Sequence, residues 1–130
     1  ILNLLNSNKF AEAKKEAENQ IINFPASSIL FNILGAIFAG QNQLKEAIEN
    51  YKKAIKLNSE YAQAYNNLGI AFHKSDNLKE AINYYKKAIG LKNDFAEAFN
   101  NLGNALRDQN RQKDAIEYYK KALQLKSNFP

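Results

Sequence analysis

The strongest constraint on the fold is a spacing of 34 residues that recurs along the chain. Five positions keep the same residue at this spacing: glycine at Gly35, Gly69 and Gly103; leucine at Leu34, Leu68 and Leu102; alanine at Ala47, Ala81 and Ala115; tyrosine at Tyr51, Tyr85 and Tyr119; and a second alanine at Ala54, Ala88 and Ala122. A fixed period of this length is typical of proteins in which each copy of a small unit packs against the next. We therefore expect an array of one repeated unit.

Each period contains two stretches in which apolar residues recur at helical spacing. In the copy at 62–95, the first stretch includes Tyr65, Leu68 and Phe72, and the second includes Ala81 and Tyr85. Steps of three and four residues place these side chains on one face of a helix. The pattern predicts two amphipathic helices per period.

The links between these helices are short and polar. One equivalent place in the first link of each copy holds a residue that tolerates the left-handed backbone of a tight turn, namely Asn42, Asp76 and Asn110. Between copies, 58–60 and 92–94 are expected to supply turn and helix-capping side chains. Short links predict that consecutive helices pack antiparallel.

Glycine and alanine recur where the paired helices are expected to meet. We expect Gly69 and Ala81 to allow a close approach, with aromatic side chains filling the space beside them. Leucine at either position should overpack the crossing. A further glycine, Gly90, interrupts the second helix of its copy and should weaken it by about 1 kcal/mol relative to alanine.

The repeated residues resemble the tetratricopeptide repeat family, whose pattern is matched by Phe31, Leu34, Gly35, Phe38, Ala47, Tyr51 and Ala54. The resemblance implies an all-α fold, a right-handed α-solenoid of antiparallel helix pairs. It predicts a single array over 1–130, with complete repeats at 28–61, 62–95 and 96–129 and a partial first repeat at 1–27. The segment Asn-Asn-Leu-Gly, at 66–69 and 100–103, resembles segments of the arrays that are attached to O-linked N-acetylglucosamine transferases and to bacterial glycosyl- or sulfotransferases.

In this family the first helices line a concave inner surface, so the resemblance implies a groove rich in asparagine. An amide both donates and accepts hydrogen bonds, and a row of amides can pair with the backbone of an extended peptide. The alternatives are that these amides are solvated, or that Asn66 and Asn100 bridge neighbouring helices. The candidate groove residues are Asn32, Ile33, Gln63, Asn66, Asn67, Ile70, His73, Lys74, Glu97, Asn100, Asn101, Asn104 and Arg107. Ile29 and Ile33 form a more apolar patch that either a ligand side chain or the missing N-terminal helix of the partial first repeat could cover.

The sequence offers little for catalysis or metal binding. It contains no cysteine, and its one histidine, His73, has no cluster of ligands around it and is expected to be a partly exposed groove residue. We therefore expect no enzymatic activity, no metal and no cofactor. The repeated lysine pairs are interpreted as a solvated helix face and not as a nucleic-acid site, and no apolar run approaches the roughly 20 residues that span a bilayer.

These observations favour a protein-interaction scaffold that binds an extended peptide or a partner protein in the groove. One alternative is the substrate-recognition arm of a larger glycosyl- or sulfotransferase, because a chain without methionine is expected to be a processed product or a piece of a longer one. Another is a structural array that self-associates as a homo-oligomer through its ends, where Ile116, Tyr119 and Leu123 should be partly exposed. The sequence leaves the compartment undetermined and favours the cytoplasm.

Overall fold

The computed structural model describes residues 9–127, and these residues form seven α-helices and no strand. The predicted all-α fold is confirmed. Residues 1–8 of the predicted partial repeat and the last three residues of the chain lie outside the described part. The helices are α1 (Phe10–Asn23), α2 (Ser28–Gly40), α3 (Leu44–Leu57), α4 (Ala62–Lys74), α5 (Leu78–Leu91), α6 (Ala96–Asp108) and α7 (Gln112–Ser127).

The chain divides into two compact units, residues 1–60 and residues 61–130. In the first unit, α2 packs against both α1 and α3. In the second unit, α4 packs against α5, α5 against α6, and α6 against α7. Two packed helices joined by a link of a few residues run antiparallel, as the sequence predicts. The boundaries of the repeats, and their union in a single array, stay predictions.

The turns within the helix pairs have the backbone that the sequence predicts. Asn42, Asp76 and Asn110 have φ angles of 59°, 62° and 63°, in the left-handed region. The residue after each of them donates its N–H back to the preceding helix; for example, Asn77 donates to the Phe72 carbonyl at 2.9 Å. Asparagine and aspartate fit this position because their short polar side chains reduce the cost of a positive φ.

The links between pairs agree with the sequence in part. Asn58 Oδ1 accepts a hydrogen bond from the Glu60 N–H at 3.1 Å, as expected of a turn residue. The residues immediately before α4 and α6 are Tyr61 and Phe95, however, and neither makes a side-chain cap. The predicted capping residues, at 58–60 and 92–94, thus do not occupy the cap positions of these helices. Phe95 is buried, so this position contributes apolar packing in place of a cap.

Each helix pair packs a tyrosine ring against a glycine. A Cβ added at Gly69 would lie 2.5 Å from Cδ1 of Tyr85, and one added at Gly35 would lie 2.5 Å from Cδ1 of Tyr51. The glycine thus makes room for the ring of one particular tyrosine. The sequence predicts only that the glycine lets the two helices approach closely. At Gly90, α5 continues as a helix to Leu91, and an added Cβ would have no neighbour within 4 Å.

Candidate functional site

A chain of polar side chains joins α4 to α6 in the second unit. Asn66 on α4 is completely buried, and its Nδ2 donates to Oε1 of Glu97 on α6 at 3.4 Å. Asn101, also on α6, donates from its Nδ2 to Oδ1 of Asn66 at 3.1 Å. The amide of Asn66 is therefore not exposed to a ligand. Its contacts are instead those of a bridge between two helices, which is one of the alternatives that the sequence leaves open.

This network fixes the orientation of both amides. Asn66 turns its NH₂ group toward Glu97, whose carboxyl oxygen Oε1 accepts the hydrogen bond. The oxygen of Asn66 then faces Asn101, which must turn its own NH₂ group toward Asn66. Oδ1 of Asn101 consequently points away from this contact, and Asn101 is only half-buried. Asn101 can therefore offer a hydrogen-bond acceptor at the surface.

A second contact joins the carboxyl ends of the same helices. His73 Nε2 lies 2.7 Å from Oδ2 of Asp108, and Arg107 donates from Nη2 to Oδ1 of Asp108 at 3.3 Å. The hydrogen bond with His73, assisted by Arg107, lowers the pKa of the Asp108 carboxyl, which is therefore ionised at neutral pH. The side chain of His73 is 22% exposed, in agreement with its predicted place as a partly exposed residue.

Asp108 is absent from the candidates that the sequence provides. Its contact with His73 spans 35 residues, the same separation as between Asn66 and Asn101. A search for complementary polar residues one period plus one residue apart would have found both pairs.

Between these two contacts lies an open depression of about 290 Å³, lined by Ile70, His73, Lys74, Tyr85 and Asn101. Four of these residues are predicted groove residues, and the structure brings them together. The fifth, Tyr85 on α5, is a core residue in the sequence pattern and is only 1% exposed. Its ring lies edge-on to His73, with 6.4 Å between ring centroids. Burial, together with the nearby Glu97 carboxylate, raises the pKa of the Tyr85 hydroxyl, which stays protonated.

The remaining candidates of the second unit lie on α4 and α6 outside the depression. Gln63 is exposed and donates from Nε2 to Oδ1 of Asn67 at 3.1 Å. Asn104 accepts a hydrogen bond from the Tyr119 hydroxyl at 2.6 Å. Asn100 and Arg107 are exposed.

The two candidates of the first unit are engaged in its own packing. Asn32 on α2 is buried. Ile33 is half-buried and packs against a cluster that includes Ala13 and Ala17 of α1. The neighbouring Ile29 stays 60% exposed. α1 therefore covers part of Ile33 and leaves Ile29 largely exposed.

Some of the repeated lysines contact aromatic rings. The Lys53 ammonium lies 5.6 Å from the ring centroid of Phe31, and the Lys87 ammonium lies 5.9 Å from that of Tyr65. Their aliphatic stems thus extend along aromatic side chains while the charges stay near solvent.

Within residues 9–127, no group of three or more His, Cys, Asp or Glu side chains could hold a metal ion. Each helix in the same range is too short or too polar to span a bilayer.

Solved structures share this fold over nearly the whole chain. A crystal structure of MamA matches with a TM-score of 0.88 at 27% sequence identity, covering 95% of this chain and 72% of that one. MamA from Desulfovibrio magneticus RS-1 matches with a TM-score of 0.87 at 21% identity, covering 97% of this chain and 71% of that one. No match was found among curated proteins.

Family models match most of the sequence. The model described as TPR repeat matches residues 35–76 and 71–107, and the model described as tetratricopeptide repeat matches residues 96–129. The matched segments together span residues 35–129, which contain six of the seven helices wholly or in part. The chain therefore belongs to the tetratricopeptide repeat family.

Proposed function

We propose that the chain is a protein-interaction scaffold that binds an extended peptide segment and carries out no chemistry itself. The proposed contact surface, called the α4–α6 face below, comprises Gln63, Asn67, Ile70, His73, Lys74, Asn100, Asn101, Asn104 and Arg107. The observation that carries the proposal is the depression lined by Ile70, His73, Lys74 and Asn101, which brings side chains of two successive first helices to one open surface.

The chemistry of this face suits a peptide backbone. Amide side chains supply both donors and acceptors, and Asn101 is held in place by its bond to the buried Asn66. A side chain that is already fixed loses little freedom when it binds a ligand, which favours affinity. Asn66 and Glu97 are left out of the face because their contacts serve the link between α4 and α6. Asn32 and Ile33 are left out because the first unit uses them for its own packing.

A library of displayed random peptides is a direct probe of this proposal. Peptides selected on the unaltered chain would be measured against a double variant, Asn67→Ala with Asn101→Ala. We expect the double variant to bind roughly tenfold more weakly, since each lost hydrogen bond contributes about 0.5–1.5 kcal/mol. The matched control replaces two exposed amides of second helices, Asn83→Ala with Gln124→Ala, and should bind as the unaltered chain does.

Two outcomes would contradict peptide binding at the α4–α6 face. One is selection of no peptide at all. The other is equal loss, or equal retention, of binding in the double variant and its control. Because Asn101 also bonds to Asn66, circular dichroism and thermal unfolding of both variants must first show intact helices.

A transferase-associated role is the first alternative. The Asn-Asn-Leu-Gly phrase at 66–69 and 100–103 favours an arm that recognises substrates for a larger glycosyl- or sulfotransferase. Sequencing the parent reading frame tests this alternative, and a frame that encodes only repeats excludes it.

Self-association is the second alternative, and it is supported by the exposed apolar side chains of α7. Ile116 is 49% exposed and Leu123 is 67% exposed, while Tyr119 is half-buried. Contiguous apolar side chains at a surface favour contact with another protein surface. Light scattering over a concentration series tests for homo-oligomers, and a mass that stays monomeric throughout rejects the alternative. Ile116→Glu with Leu123→Glu should abolish any association through this helix.

A further inference from the structure

Two equivalent tyrosines differ in their hydrogen bonding. Tyr119 on α7 donates its hydroxyl to Asn104 on α6 at 2.6 Å. One period earlier, the corresponding residues are Tyr85 and Ile70. Isoleucine has no acceptor, and the Tyr85 hydroxyl makes no hydrogen bond within the described part of the chain. The copy at 62–95 thus keeps the tyrosine but lacks its internal partner.

The hydroxyl of Tyr85 nevertheless has access to solvent. Among the described residues, no buried side-chain nitrogen or oxygen lacks a partner, so an unpaired hydroxyl must retain some exposed surface. Tyr85 as a whole is only 1% exposed, and it lines the depression. The depression is therefore the route by which the hydroxyl meets water. A ligand that excludes this water without offering an acceptor would incur a desolvation cost.

The same depression also offers an acceptor. Oδ1 of Asn101 is turned away from Asn66 by the network that Glu97 orients, and Asn101 lines the depression beside Tyr85. Opposite charges flank the two polar groups. Lys74 lies at the rim, and the Glu97 carboxylate lies close enough to Tyr85 to influence its titration. With charges of both signs nearby, a neutral group that both donates and accepts hydrogen bonds suits these two polar groups.

We propose that the depression recognises the primary carboxamide of an asparagine or glutamine side chain in the bound peptide, an inference that rests on the proposed peptide-binding function. The carbonyl oxygen of the ligand accepts from the Tyr85 hydroxyl, and its NH₂ group donates to Oδ1 of Asn101. Ile70 and the Tyr85 ring contact the methylene groups. The high pKa of Tyr85 keeps its hydroxyl a donor across the neutral range.

The test uses random displayed peptides selected in parallel on the unaltered chain, on Tyr85→Phe and on Tyr119→Phe. Phenylalanine keeps the ring that packs against glycine and removes only the hydroxyl. Peptides from the unaltered chain should share an asparagine or glutamine at one position, and leucine or glutamate there should weaken binding roughly three- to tenfold. Tyr85→Phe should lose this preference, and Tyr119→Phe should keep it because its hydroxyl already bonds to Asn104.

The outcomes separate this inference from the proposed function. If selected peptides bind in a manner sensitive to Asn67→Ala with Asn101→Ala, but Tyr85→Phe retains the carboxamide preference, the scaffold stands and the carboxamide site is wrong. If the selected peptides share an acidic or apolar residue instead of asparagine or glutamine, the scaffold again stands and the carboxamide site is wrong. Selection of no peptide by the unaltered chain overturns both proposals. Thermal unfolding of the two phenylalanine variants shows whether each keeps its fold.

Discussion

Replacing Gly69 with alanine tests the packing of a tyrosine ring against a glycine. The new Cβ would lie 2.5 Å from Cδ1 of Tyr85, whereas carbon atoms in favourable contact are about 3.5–4.0 Å apart. The ring or the helix must therefore shift by roughly 1 Å. Tyr85 is 1% exposed and belongs to a buried cluster with Ile82 and Leu102, so its ring has little room to move. Overpacking of this kind costs about 1–3 kcal/mol.

Gly90→Ala is the matched control. Both glycines lie inside helices of the second unit, and alanine in place of glycine there contributes about 0.5–1 kcal/mol through helix propensity. An added Cβ at Gly90 meets nothing within 4 Å, so this variant should gain that stability in full. The difference in unfolding free energy between the two variants cancels the propensity gain. It should equal the overpacking cost of about 1–3 kcal/mol, with Gly69→Ala the less stable.

Urea unfolding followed by circular dichroism measures this difference. A second pair of proteins locates its cause: in a Tyr85→Ala background, Gly69→Ala should lose its penalty, because the ring that it meets is absent. If Gly69→Ala equals Gly90→Ala in stability in the otherwise unaltered chain, the ring is not confined and the packing argument is refuted.

Variants at three further sites, Asn66, Asp108 and Asn110, test individual features by the same unfolding assay. Asn66→Ala should lower the free energy of unfolding by about 1–3 kcal/mol, because it removes the buried bridge between α4 and α6. Asn100→Ala, the exposed equivalent, should change it by less than about 0.5 kcal/mol. Equal effects of the two variants would contradict the bridge. Asp108→Asn should be less stable than the unaltered chain at neutral pH. Because the folded-state pKa of Asp108 lies below its usual 3.8, the difference should persist above that value and disappear as the pH falls below it. A difference that persists in acid would show that the ionised carboxylate of Asp108 does not stabilise the contact with His73. At Asn110, where φ is 63°, glycine should leave the free energy of unfolding nearly unchanged, while valine should lower it by about 1–2 kcal/mol or more. Equal stability of the two variants would show that the turn changes its backbone to fit the side chain.

The sequence predicts the helices and turns because they depend on residues that every copy shares. The spacing of Gly69 and Tyr85 identifies the paired helices, and the left-handed turns follow from asparagine or aspartate at one place in each copy. The pattern misses what depends on the surroundings of a single copy. Asn66 and Asn100 are the same residue at equivalent places, yet only Asn66 is covered by Glu97 and Asn101 of α6, the first helix of the next copy. Neither period nor residue type distinguishes the buried amide from the exposed one.

Ligand selectivity in such an array should arise at the positions where the copies differ. The glycine and the tyrosine ring that packs against it are the same in each helix pair, and a change at either residue costs stability. Exposed positions on the first helices carry no such constraint. In the carboxyl-terminal halves of these helices, three exposed or half-buried positions change in chemistry between the copies at 62–95 and 96–129: Ile70 corresponds to Asn104, His73 to Arg107, and Lys74 to Asp108. The first exchange leaves Tyr85 without an acceptor, and the other two bring histidine together with an aspartate that belongs to the next copy. Exchanging Ile70 for asparagine should therefore give Tyr85 the partner that Tyr119 has, and should remove the carboxamide preference without altering the fold. Retention of that preference in peptides selected on Ile70→Asn would show that the difference between the copies does not govern recognition.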